Sequence, residues 1–291
     1  MAGKNDWQKG KLPEGLRAVI TGASTGIGRA LALQLAGQYK AQLVVNARGA
    51  DDLEKAAAEI RALGGKATCV IGDVSSDDVC AQLINACRTE YGGIDLLVNN
   101  AGLARSGPMD GIDINDWRYV FEVNFFAALN LSYKVLADFE KQGHGKIVNI
   151  ASVAGKIAFP GSVCYAASKF ALTGLSEGMA AEFAGKVDVI TVCPGWVRTE
   201  FFKRNKTSED PSAIAEQQDL KGWLMRNMLS ISSEQVSEDI VKALLKGGSH
   251  EMVLTAPGVV AERMSGIFPE LTHYLSSLVP AHRGRRAKPE K

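Results

Sequence analysis

From residue 17 onward, short β-rich runs alternate with amphipathic helical stretches, and nothing else in the 291-residue chain restricts its fold as much. Ala18-Val19-Ile20-Thr21 is a brief apolar run ending in glycines, and 27–35 has helical character. Runs at 41–46, 67–71, 94–98, 146–150, 187–192 and 252–255 read as further strands. Asp51 and Asp52 stand where they can cap the helix after the second strand, and Gly64-Gly65 ends it. Ser75 or Ser76 opens a helix closed by Gly92-Gly93, a long one spans about 115–140, and 233–246 is another. Strands that take turns with helices predict a parallel sheet covered on both faces. With no Gly/Ser/Pro-rich linker and no internal repeat, the chain reads as one domain over 16–256, after a polar lead-in at 1–15. A C-terminal extension with a basic tail occupies 257–291.

Composition narrows the class of partner. A hydrophobic share of 46% against 22% charged allows a substantial core. Lys and Arg number 33 and Asp and Glu 32, so a formal charge of +1 gives no global field to recruit nucleic acid or an anionic membrane. The five cysteines (Cys69, Cys80, Cys87, Cys164, Cys193) form no C-x-x-C pair, which predicts reduced thiols, no zinc site and a cytoplasmic protein. His144, His250, His273 and His282 lack metal-ligand spacing, so no metal is expected. The N-terminal residues lack the apolar run of a signal peptide, and no apolar stretch is long enough to span a bilayer.

Thr21-Gly22-Ala23-Ser24-Thr25-Gly26-Ile27-Gly28 follows the first strand and opens the first helix. Glycines permit a tight turn and close backbone approach, and the helix N-terminus adds unpaired donors and positive potential. Gly22, Ser24, Thr25, Gly26, Ile27 and Gly28 are therefore expected to cradle the pyrophosphate of a dinucleotide, although the G-x-x-x-G-x-G spacing departs from the G-x-G-x-x-G fingerprint. The second strand ends Asn46-Ala47-Arg48, with no carboxylate for a ribose 2′-hydroxyl. Arg48 can pair with a 2′-phosphate, which predicts NADP(H) in preference to NAD(H).

Tyr165 and Lys169 are four residues apart and share a helix face. A free phenol has a pKa of about 10, and a nearby cation is expected to move it toward neutrality. With Asp73-Val74, Asn99-Asn100-Ala101-Gly102, Asn124, Ser152, Pro194-Gly195 and the glycine turn in this order, the chain resembles the short-chain dehydrogenase/reductase family, in its shorter single-domain branch. The likeness spans roughly 16–255. It implies an α/β fold, a single-domain doubly wound, Rossmann-like parallel sheet of about seven strands. Ser152, after the fifth strand, would polarise a substrate oxygen, and Tyr165 would exchange a proton with it. By resemblance, Lys169 also binds the nicotinamide ribose and Asn124 holds a water linking Lys169 to solvent. The resemblance places Asp73 and Val74 at the adenine and Asn99 near its ribose, with Ala101 and Gly102 alongside. Pro194, Gly195, Val197 and Thr199 would lie by the nicotinamide, its carboxamide and the phosphates.

The expected reaction interconverts a carbonyl and a secondary alcohol. Isomerisation or elimination chemistry, and NADP(H) sensing without turnover, remain open alternatives on the same fold. About forty residues separate Pro194 from Ser233, too many for an ordinary loop. Trp196, Phe201, Phe202, Trp223, Leu224, Met225, Met228 and Leu229 in the loop at about 196–232 suggest a hydrophobic substrate such as a steroid, lipid-like or bulky aromatic ketone. The helices around 117–139 and 163–183 resemble those that pair in family homodimers and homotetramers.

Overall fold

The computed structural model of the protein describes residues 10–199, 201 and 230–277. Seven strands form one parallel sheet: β1 Arg17–Ile20, β2 Gln42–Ala47, β3 Lys66–Ile71, β4 Leu96–Asn99, β5 Lys146–Ile150, β6 Asp188–Pro194 and β9 His250–Leu254. Their order is β3-β2-β1-β4-β5-β6-β9, with every pair parallel. The order reverses between β1 and β4, which opens a crevice at their carboxyl ends. β7 Trp196–Arg198 and β8 Ser230–Ser232 add a separate parallel pair that the sequence pattern did not suggest.

The sheet is buried on both faces, and strand alternation sorts its side chains between two cores. Ala18, Ile20, Leu43 and Val45 pack with Leu31 and Leu35 of α1 (Gly26–Tyr39) and Ile240 of α7 (Ser233–Lys246). Val19, Val44 and Leu97 face the other way, onto Leu83 of α3 (Asp77–Tyr91) and Leu131 and Val135 of α5 (Ala127–Gln142). The helix expected over 115–140 is α4 (Ile114–Phe121) running into α5 through a π-helical turn at Glu122–Phe126, with Asn124 at its centre. Asp51 and Asp52 do not cap α2 (Ala50–Ala62). Gly49 holds the N-cap, and the two carboxylates sit in the first turn, where they complement the helix dipole.

At the amino ends of β1 and β4, Asp95 accepts from the Arg17 backbone N–H at 3.0 Å and from Arg17 Nε at 2.8 Å, and His144 Nε2 lies 3.4 Å away. Burial opposes ionisation of Asp95, but these bonds outweigh it and hold its pKa at about 2. The pair locks together the two strands whose opposite ends form the crevice.

Candidate active site

The crevice holds a cavity of about 920 Å³, within the range of small-molecule sites. One end is the glycine turn. Thr21 Oγ1 accepts from the N–H groups of Asn100 and Ala101, both at 3.0 Å, and Asn100 Nδ2 donates to the carbonyls of Thr21 and Gly22. The turn is thereby stitched to the end of β4. Gly22 and Gly26 have φ of +64° and +59°, and a Cβ at Gly22 would lie 2.9 Å from the Ala101 Cα. A Cβ at Gly28 would lie 2.5 Å from Asn100 Nδ2 and 2.6 Å from the Gly22 carbonyl oxygen. Gly28 therefore closes the turn from behind, whereas Gly22, Ser24, Thr25, Gly26 and Ile27 line the cavity. Thr25 makes no side-chain cap and the first turn of α1 has no acidic residue. Open N–H groups above bare glycine backbone fit a phosphate group.

Arg48, Asp73 and Val74 form the next wall, joined by a residue the sequence reading missed. Tyr119, on α4, accepts from Arg48 Nη1 at 3.0 Å and donates to Asp73 Oδ2, while Arg48 Nη1 and Asp73 Oδ2 are 3.9 Å apart. Burial pushes the Asp73 pKa up, but Tyr119, the Ser75 N–H and Arg48 together bring it below the usual carboxylate range. Asn99 requires a correction. Its amide is turned away from the cavity, donating to Asn149 Oδ1 at 2.8 Å and Ser132 Oγ at 3.2 Å, and Asn149 continues to Ser176 Oγ. Asn99 belongs to a buried polar line between sheet and helices. Its neighbours Asn100, Ala101 and Gly102 line the cavity instead.

Ser152, Tyr165 and Lys169 come together on the facing wall. Ser152 follows β5 and accepts from the Ala154 N–H at 3.1 Å. Gly155 lets this short turn sit against α6 (Val163–Glu182), since a Cβ there would meet the Lys169 carbonyl oxygen at 2.8 Å. The contact brings the Ser152 hydroxyl within hydrogen-bonding reach of the Tyr165 phenol. Lys169 is buried, donates to the Ile150 carbonyl at 2.8 Å and lies 5.8 Å from the Tyr165 ring centroid. Burial lowers the Lys169 pKa to about 8. The expected depression of Tyr165 is not found. Burial pushes its phenol up to about 12 against the Ser152 hydrogen bond, with the Phe201 ring packed 6.0 Å away.

Asn124 does not itself line the cavity. Its Oδ1 accepts from the Leu103 N–H at 2.8 Å, and its Nδ2 donates to Leu103 O and Ser168 Oγ, both at 2.9 Å. Both amide hydrogens are used, and the side chain ties 103 to α6 beside Lys169.

Pro194, Gly195, Val197 and Thr199 line the remaining end with Trp196 and Phe201. Thr255 joins them with φ +85°, a strained setting for a β-branched residue, and its Oγ1 would lie 2.3 Å from a Cβ at Gly195. The sequence signalled it only as the end of a strand. Phe202, Trp223, Leu224, Met225, Met228 and Leu229 lie outside the described residues.

A glycine-lined strand-turn-helix and a Ser-Tyr-Lys wall meet on one cavity of an α/β fold, the arrangement expected of a nucleotide-dependent oxidoreductase. The family model for short chain dehydrogenases matches residues 17–210. A gluconate 5-dehydrogenase of Gluconobacter oxydans is 36% identical over 197 residues, 67% of this chain and 77% of that protein. A short-chain type dehydrogenase/reductase from Mycobacterium marinum superposes with a TM-score of 0.72 at 28% identity, covering 86% of this chain and 96% of that one. The L-sorbose reductase of Gluconobacter frateurii, complexed with NADPH and L-sorbose, gives 0.72 at 25% identity over 84% and 97% of the two chains. The chain belongs to the short-chain dehydrogenase family. With the family go a nicotinamide cofactor and oxidoreductase chemistry between alcohol and carbonyl on a small molecule.

Proposed function

We propose that the protein is an NADP(H)-dependent oxidoreductase that interconverts a hydrophobic ketone and its secondary alcohol. The observation that carries this reading is the joining of the Ser152–Tyr165–Lys169 wall to the glycine turn across one cavity. The nicotinamide, when bound, supplies or accepts the hydride. Ser152 donates a hydrogen bond to the substrate oxygen, and Tyr165 gives that oxygen a proton in reduction and takes it back in oxidation. Lys169 provides the adjacent positive charge and binds the nicotinamide ribose. Asn124 is a positioning residue that acts through Leu103 and Ser168.

The glycine turn and the N-terminus of α1 hold the pyrophosphate. Asp73, Val74 and the 100–102 backbone flank the adenosine, and Pro194, Gly195, Val197 and Thr199 flank the nicotinamide. NADP(H) is favoured because Arg48 reaches the cavity and no acidic residue ends β2. The NADPH-bound sorbose reductase is consistent with that preference. Leu103, Ala104, Phe159, Trp196 and Phe201 give the substrate end an apolar lining, unlike that expected for a polyol. Exposed Phe126, Tyr133 and Phe170 on neighbouring helices support a homodimer or homotetramer. The cysteine pattern supports a cytoplasmic setting.

A panel of apolar ketones assayed with both cofactors tests the reading. NADPH is expected to exceed NADH in kcat/KM by at least about tenfold, as one charge-assisted contact at the 2′-phosphate implies. Comparable efficiencies would sink the preference. Tyr119→Phe removes a hydrogen bond that holds Arg48 and is expected to weaken NADPH binding about threefold to tenfold while leaving NADH binding unchanged. Fluorescence titration reads both constants, and an equal loss for both cofactors would make Tyr119 merely structural.

A further inference from the structure

Thr255 stands where β9 gives way to α8 (Ala256–Ile267), and no step assigned to Ser152, Tyr165 and Lys169 uses it. A threonine at such a junction ordinarily caps its helix by accepting from the N–H of the second or third helical residue. Here the second helical residue is Pro257, which has no N–H, and Thr255 makes no side-chain cap. Its hydroxyl has no hydrogen-bond partner among the described residues. The backbone is nonetheless held at φ +85° and ψ 132°, a setting that β-branched side chains avoid. Leu254 O accepts from the Gly195 N–H and Thr255 O from the Val259 N–H, both at 3.1 Å, so the chain is fixed on either side of the hydroxyl.

Two glycines make room for this side chain. Besides the close approach at Gly195, a Cβ at Gly258 would lie 3.0 Å from Thr255 Oγ1 and 2.7 Å from Val153 Cγ2. The hydroxyl therefore lies between the segment that follows β6 and the turn that begins at Ser152. Val153, Gly195, Thr255 and Gly258 all line the cavity, and Pro257 and Ala261 continue the same wall. Of these six residues Thr255 alone carries a polar side chain. An unpaired hydroxyl, held under strain in an apolar wall, has its hydrogen bond left for a ligand.

We infer that Thr255 determines specificity by bonding a second oxygen of the substrate, carried on the carbon beside the reacting carbonyl. The inference rests on the reading of Ser152 and Tyr165 as the groups that hold that carbonyl. Val153 follows Ser152 directly and Gly258 packs on Val153, so the Thr255 hydroxyl neighbours the reacting centre and not the far end of the cavity. The substrate class is then an α-hydroxy ketone with an apolar body. One anchor in an apolar wall suits one further oxygen, whereas a polyol would need several.

α-Hydroxyacetophenone and acetophenone differ by that one oxygen and serve as the test pair. The ratio of their kcat/KM values, hydroxy ketone over parent, is expected to fall about threefold to tenfold in Thr255→Val, which keeps the branched shape and loses the hydroxyl. Thr255→Ser should hold the ratio near that of wild type. The two carbonyls differ in intrinsic reactivity, but that difference is common to all three proteins, so the change in the ratio reads Thr255 alone. Calorimetric titration of each ketone into protein saturated with NADP⁺ reads the corresponding affinity ratio without turnover. A ratio that Thr255→Val leaves unchanged, or the binding of neither ketone, would overturn the proposal. So would a loss of NADPH affinity in Thr255→Val with the ratio intact, which would assign the hydroxyl to the nicotinamide. An affinity ratio that falls in a protein reducing neither ketone would uphold the contact and sink the carbonyl-reducing reading instead.

Discussion

Tyr165→Phe is expected to lower kcat for ketone reduction by about 10²–10⁴, the span typical of losing a positioned general acid. Its NADPH dissociation constant should remain within about twofold of wild type, because the phenol acts on the substrate oxygen. Burial holds this phenol at about 12, so at neutral pH it carries the proton that reduction consumes. Lys169, brought down to about 8 by burial, keeps its charge below that value and loses it above. Reductive kcat/KM is therefore expected to be level below about pH 7 and to fall as pH rises through about 8. Lys169→Met should remove that limb of the profile. Stopped-flow rates of the two variants check both points, and near-wild-type turnover by Tyr165→Phe would contradict the mechanism.

Asp95→Ala is expected to cost about 3 kcal/mol of unfolding free energy, since it strands the Arg17 guanidinium at the base of β1 and β4. Arg17 retains some exposure, which places the figure at the low end for broken buried pairs. The sign of the pH dependence follows from the carboxyl. Its folded pKa of about 2 lies below the unfolded value of 3.8, so the stabilisation is present above pH 3.8 and is lost as pH falls through about 2. The amplitude is about 2 kcal/mol. Urea unfolding at fixed protein concentration reads the loss, and an unchanged midpoint would show that the pair contributes nothing.

Where local chemistry decides an element, the sequence was sufficient. The glycine turn, the strand at Lys146–Ile150 and the helix Ser233–Lys246 occur where patterning placed them, and Tyr165 and Lys169 share one helix face. What escaped it depends on contacts remote in sequence. Tyr119 meets Arg48 across 71 residues, and no spacing rule announces that pair. Asn99 and Asn100 are equally plausible as adjacent letters, but alternation along a strand sends them to opposite sides, and only the packed α5 reveals which is inward. The raised pKa of Tyr165 escapes the sequence for a related reason. A Tyr-Lys spacing reports a nearby charge but says nothing about the burial that outweighs it.

The most direct measurement follows the hydride itself. Wild-type enzyme is incubated with an apolar ketone and NADPH deuterated at C4, on one face in one run and on the other face in a second, and the product alcohols are analysed by mass spectrometry. One deuterium at the carbinol carbon of every product molecule, from one of the two C4 faces only, is the expected result. Turnover of the ketone without that label, or product formed with no net oxidation of NADPH, would contradict carbonyl reduction at this site.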